Sequence, residues 1–158
     1  MNSEELLVRV AINNWKAALE QIRGLLSGLS DEELELQVSP GRNRVYYIVG
    51  HLAAVHDRMF TLLGFGERLH PEFDNQFLKP DRTIPDGISG ADLRGALDSI
   101  NSRLTKEIEN LPVLEWLGKH SAVSDADFAK DPLRSRLAIL LSRTGHVMYH
   151  AGQIRLTK

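Results

Sequence analysis

The chain has 158 residues, of which 42% are hydrophobic and 25% charged, and its formal net charge is −2. This composition fits one globular domain with a single hydrophobic core, and we expect residues 1–158 to form it. The slight negative charge and the dispersed basic residues argue against a nucleic-acid-binding protein. No run of about 20 apolar residues is present, which argues against a membrane protein. The acidic start lacks the features of a signal peptide, so we expect a cytoplasmic location.

Cysteine is absent from the sequence. Disulfides, thiolate metal ligands and cysteine nucleophiles are therefore excluded. A metal site in this chain must use nitrogen or oxygen ligands. Thiol chemistry, if the protein performs it, must use a thiol from outside the chain.

Hydrophobic residues at helical spacing predict four long helices. These helices are predicted over residues 3–27, 43–63, 89–111 and 131–158. The first is expected to be capped by Ser3, and the last to begin at Asp131–Pro132, a favourable N-cap followed by a favourable first residue. Long connections are predicted at 67–88 and 113–130. The sequence thus predicts an all-α fold, a four-helix bundle with long connections after helices two and three.

Three polar or aromatic positions in these elements leave alternatives open. Asn14 interrupts the apolar face of the first helix, as a tolerated boundary residue or as a polar neighbour of a site. Phe73 and Phe77 lie in the first long connection, which is longer than most loops in compact domains. We expect them to pack the connection onto the bundle; a lid over one end of the bundle is the alternative.

A pair of histidines on the fourth helix carries the main chemical signal. His146 and His150 are four residues apart, so both imidazoles project from one face, one turn apart, and can reach the same metal ion. The spacing alone also fits two partly buried histidines that hydrogen-bond to their neighbours. Gln153 follows them, either to orient a metal ligand or as an ordinary surface residue.

The second helix offers a further histidine ligand. His51 and His56 flank its apolar stripe on opposite sides, about 140° apart around the axis, so one ion cannot easily bind both. The spacing does not choose between them. Two other histidines, His70 and His120, lie in the long connections and are expected to be exposed to solvent.

Gly50-His51-Leu52, together with His146-x-x-x-His150-x-Gly152-Gln153-Ile154, resembles the DinB/YfiT-like superfamily of four-helix bundles, the damage-inducible-protein-like family. The resemblance covers nearly the whole chain in length, helix order and histidine placement, and it selects His51 over His56. One departure precedes the helix-two histidine. The family often has Trp-Ser or a similar pair there, whereas this chain has Arg44-Val45-Tyr46-Tyr47. The departure concerns the substrate pocket more than the metal site.

What the resemblance implies is a divalent metal, usually zinc or nickel, held by His51, His146 and His150 with one open position. Several members transfer low-molecular-weight thiols such as bacillithiol, mycothiol or glutathione, and dimers are common. The first hypothesis is therefore a homodimeric metal-dependent transferase that activates a small external thiol. A metal-dependent hydrolase and a non-enzymatic metal-binding stress-response module are the alternatives. The candidate substrate contacts are Tyr149, Tyr46, Tyr47, Arg143 and Asn14.

Overall fold

A computed structural model describes residues 1–157 of the chain. Its long helices are α1 (Ser3–Ser27), α2 (Val45–Leu63), α4 (Gly90–Asn110) and α7 (Arg136–Arg155). The connections carry a 3-10 turn (Glu32–Glu35) and the short helices α3 (Phe73–Phe77), α5 (Val113–Trp116) and α6 (Asp125–Lys130). Residues 1–157 contain isolated β-bridges and no β-strand. The predicted all-α bundle is confirmed.

The second helix, α2, lies at the centre of the packing. Helix α1 packs on α7, α4 packs on α2, and α2 also contacts α7 and α3. Most residues of α2 are buried, as expected for a helix that is apolar on nearly all sides. The buried polar residues of α2, such as His56 and Asp57, therefore need hydrogen-bond partners inside the protein. None of the helices within residues 1–157 has the length and apolar character needed to cross a membrane.

The bounds predicted for α1 are confirmed, but its cap differs from the predicted one. The side chain of Asn2, not Ser3, caps the helix by accepting the Glu5 N–H at 2.8 Å. The buried face consists of Val8, Ala11, Trp15, Ala18, Ile22 and Leu26. Leu7 and Val10, which lie beside that row, are 64% and 48% exposed. Asn14 is also exposed.

The last helix begins later than predicted, at Arg136 rather than at Asp131–Pro132. The Ser135 hydroxyl caps α7 by accepting the Ala138 N–H at 3.2 Å. The Asp131 carboxylate instead accepts the N–H of Leu133, two residues later, at 3.1 Å. An N-cap side chain makes this kind of bond, but here the chain forms only a turn at residues 132–134 and the helix does not begin until Arg136.

Both long connections contain short helices rather than irregular loop alone. In the first, Phe73 and Phe77 of α3 are buried, at 6% and 1% exposure, as expected for a connection packed onto the bundle. Its far end is held by the buried Arg44 side chain, which precedes α2. Arg44 forms ion pairs with Glu35 at 3.0 Å and with Asp81 and Asp86 at 2.8 Å each. Hydrogen bonds from Arg44 hold the pKa of Asp86 below its ordinary value.

Candidate metal centre

Three histidines from two packed helices come together in the structure. His51 lies in the second turn of α2, and His146 and His150 lie in the second half of α7. The Nε2 atom of His146 is 3.2 Å from Nε2 of His51 and 3.0 Å from Nε2 of His150. One possible ligand atom from each residue lies within 4.8 Å of the others. No other set of three or more histidine or carboxylate side chains is so placed within residues 1–157.

The outer ring nitrogens of two of these histidines have fixed partners. Nδ1–H of His51 donates to the carbonyl oxygen of Phe77 at 2.9 Å, and Nδ1–H of His150 donates to Oε1 of Gln153 at 2.7 Å. Because both partners are acceptors, each Nδ1 carries the proton and each Nε2 presents a lone pair. Partners of this kind orient histidines that bind metals.

Converging lone pairs favour a cation between them. His146 has at most one Nε2 proton, which can bond to only one of the two lone pairs that face it. One metal ion, by contrast, can accept a lone pair from all three rings. Zinc–nitrogen bonds of about 2.0–2.1 Å in a tetrahedral site place the ligand nitrogens roughly 3.3 Å apart. The observed separations are 3.0 and 3.2 Å, so these residues fit a divalent metal ion.

Burial holds two of the rings in the form that binds metal. Burial lowers the pKa of His146 to about 3, and the charges of His150 and His51 act in the same direction. Burial also lowers the pKa of His150 below its ordinary value. A histidine ligand must be neutral. Both rings of the α7 pair are therefore ready to bind an ion at neutral pH without first losing a proton.

His146 differs from the other two histidines in how its ring is held. Its Nδ1 atom is buried and has no hydrogen-bond partner within the described part of the chain. The position of this ring therefore depends on packing and on its contacts with His51 and His150, whose centroids lie 5.1 and 4.5 Å away.

His56, the alternative ligand on α2, points into the core instead. It is completely buried, and its Nδ1 lies 2.6 Å from Oδ1 of Asn101 on α4. Its ring packs edge-on against Trp15, with centroids 5.0 Å apart. The structure thus places His51, not His56, with the histidine pair on α7. That the trio binds a metal stays a prediction.

The remaining predicted histidines do not join the site. His70, expected to be exposed, is half-buried because its ring stacks on Phe73 at 4.7 Å. Its Nδ1 lies 2.9 Å from the Glu72 carboxylate. His120 is also half-buried rather than exposed, and burial lowers its pKa.

Two tyrosines among the predicted substrate contacts touch the histidines. Tyr47 stacks on His51 with centroids 6.0 Å apart, and Tyr149 lies edge-on to His150 at 5.1 Å. Tyr149 also accepts a hydrogen bond from Gln153 at 3.1 Å, so it supports the group that orients His150. The Tyr46 hydroxyl instead donates a hydrogen bond to the Ile88 carbonyl at 2.8 Å. Tyr46 therefore helps to hold the first connection against α2.

We expect Gln153→Ala to weaken metal binding by about 10- to 100-fold, because His150 loses the acceptor that fixes its Nδ1 proton. A competition assay with a chromophoric chelator measures the change. Gln21→Ala on α1, where the glutamine makes no hydrogen bond to the three histidines or their partners, is the matched control and should leave the affinity unchanged. Equal affinities for the Gln153→Ala variant and the wild type would contradict this role.

Sequence reasoning missed the contribution of Gly50 and Phe77. A Cβ atom built on Gly50 would lie 2.2 Å from the Phe77 ring, so glycine at this position lets α3 approach α2 closely. That approach brings the Phe77 carbonyl oxygen to Nδ1 of His51. The one available signal was a glycine within an apolar helix, next to a histidine.

We expect Gly50→Ala to lower the free energy of unfolding by about 1–3 kcal/mol, because the added methyl group forces the Phe77 ring out of place. The displaced Phe77 carbonyl should also weaken metal binding by His51. Urea unfolding followed by circular dichroism measures the stability. Gly24→Ala, with nothing within 4 Å of the added Cβ, is the control and should be neutral or stabilising. Similar effects of the two substitutions would refute the close-contact explanation.

Comparisons with known proteins agree with the fold. The sequence matches the model of the DinB superfamily over residues 14–154. No curated protein matches the sequence. A conserved protein from Enterococcus faecalis, known from its crystal structure, is 17% identical with a TM-score of 0.63, and the alignment covers 99% of this chain and 95% of that one. At this identity the likeness shows a shared fold alone.

Proposed function

Because the chain belongs to the DinB superfamily, we propose that it is a divalent-metal-dependent enzyme that transfers a small external thiol to an electrophile. The observation that carries this proposal is the convergence of His51, His146 and His150, with no fourth histidine or carboxylate in the group within residues 1–157. Three nitrogen ligands and an exchangeable position are the composition of a catalytic rather than a structural zinc site. Zinc and nickel are the proposed metals.

When bound, the metal lowers the pKa of a thiol or water in its open position and so supplies a nucleophile near neutral pH. The residues of this chain would hold the metal and orient its histidine ligands. Gln153 and the Phe77 carbonyl hold the Nδ1 protons of His150 and His51, which directs both Nε2 lone pairs inward. Since the sequence has no cysteine, no thiol of this chain competes for the ion. A low-molecular-weight thiol is therefore the natural nucleophile.

A surface cleft borders two residues that contact His150 and supports a small-molecule substrate; none of the three histidines lines the cleft itself. Its volume is about 530 Å³, and Tyr149 and Gln153, which contact His150, form one side of it. Ser39, Arg42 and Asn43, from the segment before α2, form the other side. Small-molecule sites typically have volumes of about 300–1,000 Å³. The polar lining suits a hydrophilic thiol better than an apolar ligand.

Thiol consumption by the metal-loaded protein tests the proposal. Zinc- or nickel-loaded protein is mixed with glutathione, bacillithiol or mycothiol and a set of electrophiles, and free thiol is followed over time. We expect consumption above the uncatalysed rate that disappears in His146→Ala and persists in His56→Gln. Absence of consumption with every combination would overturn the proposal. Hydrolysis of model esters that small thiols inhibit would favour the metal-dependent hydrolase instead.

A further inference from the structure

Arg143 lies one helical turn before His146 on α7. Residues three apart on a helix have Cβ atoms about 5–6 Å from each other on the same face. The Arg143 charge is close enough to help lower the pKa of both His146 and His56. Its guanidinium also interacts unfavourably with Arg58 of α2. Arg143 therefore lies on the side of α7 that faces α2, next to the three histidines.

Within residues 1–157, Arg143 forms no ion pair with a carboxylate. Arg143 is half-buried, and its Nε atom is covered and makes no hydrogen bond. Its two Nη groups also lack a hydrogen bond or ion pair within residues 1–157, but unlike Nε they are not covered and remain accessible to solvent. Burial of the Nε–H without a hydrogen-bond partner is unfavourable, whereas the Nη groups can still reach solvent or a ligand. The accessible Nη groups are therefore available to an anion from outside the chain.

The acidic residues nearby are already paired. Asp74 bonds to Arg58 at 2.8 Å and to Arg68 at 2.7 Å. The fully buried Asp57 bonds to Arg68 at 2.9 Å and accepts two backbone N–H groups. Arg58 and Arg68 thus use both carboxylates, and neither is bonded to Arg143. Neither of these carboxylates therefore balances the charge of Arg143.

We propose that Arg143 binds a carboxylate or phosphate group of one of the substrates, beside the three histidines. The identity of the ligand as a substrate rests on the proposed function, whereas the binding of an oxyanion does not. Arginine suits this task because its planar fork donates two parallel hydrogen bonds to an oxyanion. The spacing along α7 places that anionic group within about one to two helical turns of the metal ligands. The site therefore selects small anionic substrates over neutral ones of the same size.

The proposal is tested by titrating the full chain with succinate, inorganic phosphate or chloride while the arginine Nε–H signals are followed by nuclear magnetic resonance. The Arg143 signal is identified by its loss in Arg143→Gln. The titration is made on metal-free and on zinc-loaded protein, because only the metal-free form excludes an anion bound to the metal. Arg155→Gln removes an exposed charge from the same helix and is the matched control.

We expect a saturable shift of the Arg143 signal with succinate, phosphate or both, and none with chloride at equal ionic strength. Whichever anion shifts the signal identifies the oxyanion. Binding should weaken at least about tenfold in Arg143→Gln and less in Arg143→Lys, and it should be unchanged in Arg155→Gln. No saturable shift, or equal binding by folded Arg143→Gln, would overturn the proposal. Binding of neutral 2-mercaptoethanol to the zinc-loaded protein separately tests the thiol site, so the two proposals can fail independently.

Discussion

His51→Ala and His146→Ala should each reduce the metal content of the purified protein from about one ion per chain to none. Either change leaves only two histidine ligands. Two ligands are too few to hold an ion at a site that uses three. His150→Ala should have the same effect. The loss should exceed the roughly 10- to 100-fold weakening expected when only an orienting partner is removed. Elemental analysis of protein purified without a polyhistidine tag measures the metal content directly.

The matched control for this experiment is His56→Gln, which changes the other histidine of α2. His56 contacts Asn101 and Trp15 rather than the trio, so the variant should retain its metal. Loss of metal in His56→Gln with retention in His51→Ala would mean that the wrong histidine of α2 has been assigned. If the wild-type protein stays metal-free after zinc or nickel is supplied, the three histidines have only a packing role. The metal-dependent functions would then be excluded together.

The sequence predicts the α7 half of the site well because helix geometry alone fixes it. Residues four apart on a helix share a face whatever surrounds them, so His146 and His150 could be paired before the fold was known. The choice between His51 and His56 is different. It depends on which side of α2 meets α7 and which side meets α4, and the apolar stripe between the two histidines does not encode that. The family resemblance made this choice, and in the structure His51 is the histidine of α2 that lies beside the α7 pair.

The hydrogen-bond partner of His51 could not be predicted from the sequence for a different reason. The acceptor for His51 is the backbone carbonyl of Phe77, 26 positions along the chain. Every residue carries a backbone carbonyl, so the residue type does not indicate which carbonyl will accept this hydrogen bond. Gln153, by contrast, acts within its own helix, and the sequence had already offered it as an orienting group. Contacts within one helix can thus be predicted, whereas those formed by a returning connection cannot.

At the start of α7, tertiary contacts determine where the helix begins, although the local sequence predicts an earlier start. Asp131–Pro132 has the residue types of a helix start. In the fold, however, the Arg136 N–H donates to the Gly118 carbonyl at 2.9 Å, and Lys119 and Ser135 form an isolated β-bridge. These contacts hold Ser135 in an extended conformation against the second connection. The helix therefore begins where that pairing ends, at the next good cap, Ser135.

We expect the metal-free protein to lose about 3 kcal/mol of its free energy of unfolding between pH 6.5 and pH 4 through His56 alone. Burial lowers the pKa of His56 from 6.5 to about 4. As the pH falls through this window, the unfolded chain takes up a proton at His56 and the folded protein does not. The unfolded state therefore binds more protons, and stability falls by about 1.4 kcal/mol per pH unit. Above pH 6.5 both states are neutral at this position, and its contribution is constant.

Urea unfolding of wild type and His56→Gln, with a chelator present and at several pH values between about 7 and 4, isolates this effect. Glutamine keeps a polar group facing Asn101 but does not titrate, so the variant lacks the loss that His56 causes. The stability difference between the two proteins should change by about 3 kcal/mol in favour of the variant as the pH falls. A difference independent of pH would mean that His56 keeps its ordinary pKa in the fold. Because burial also lowers the pKa of His146 and His150, the variant should retain a pH dependence of the same sign, which belongs to the site itself.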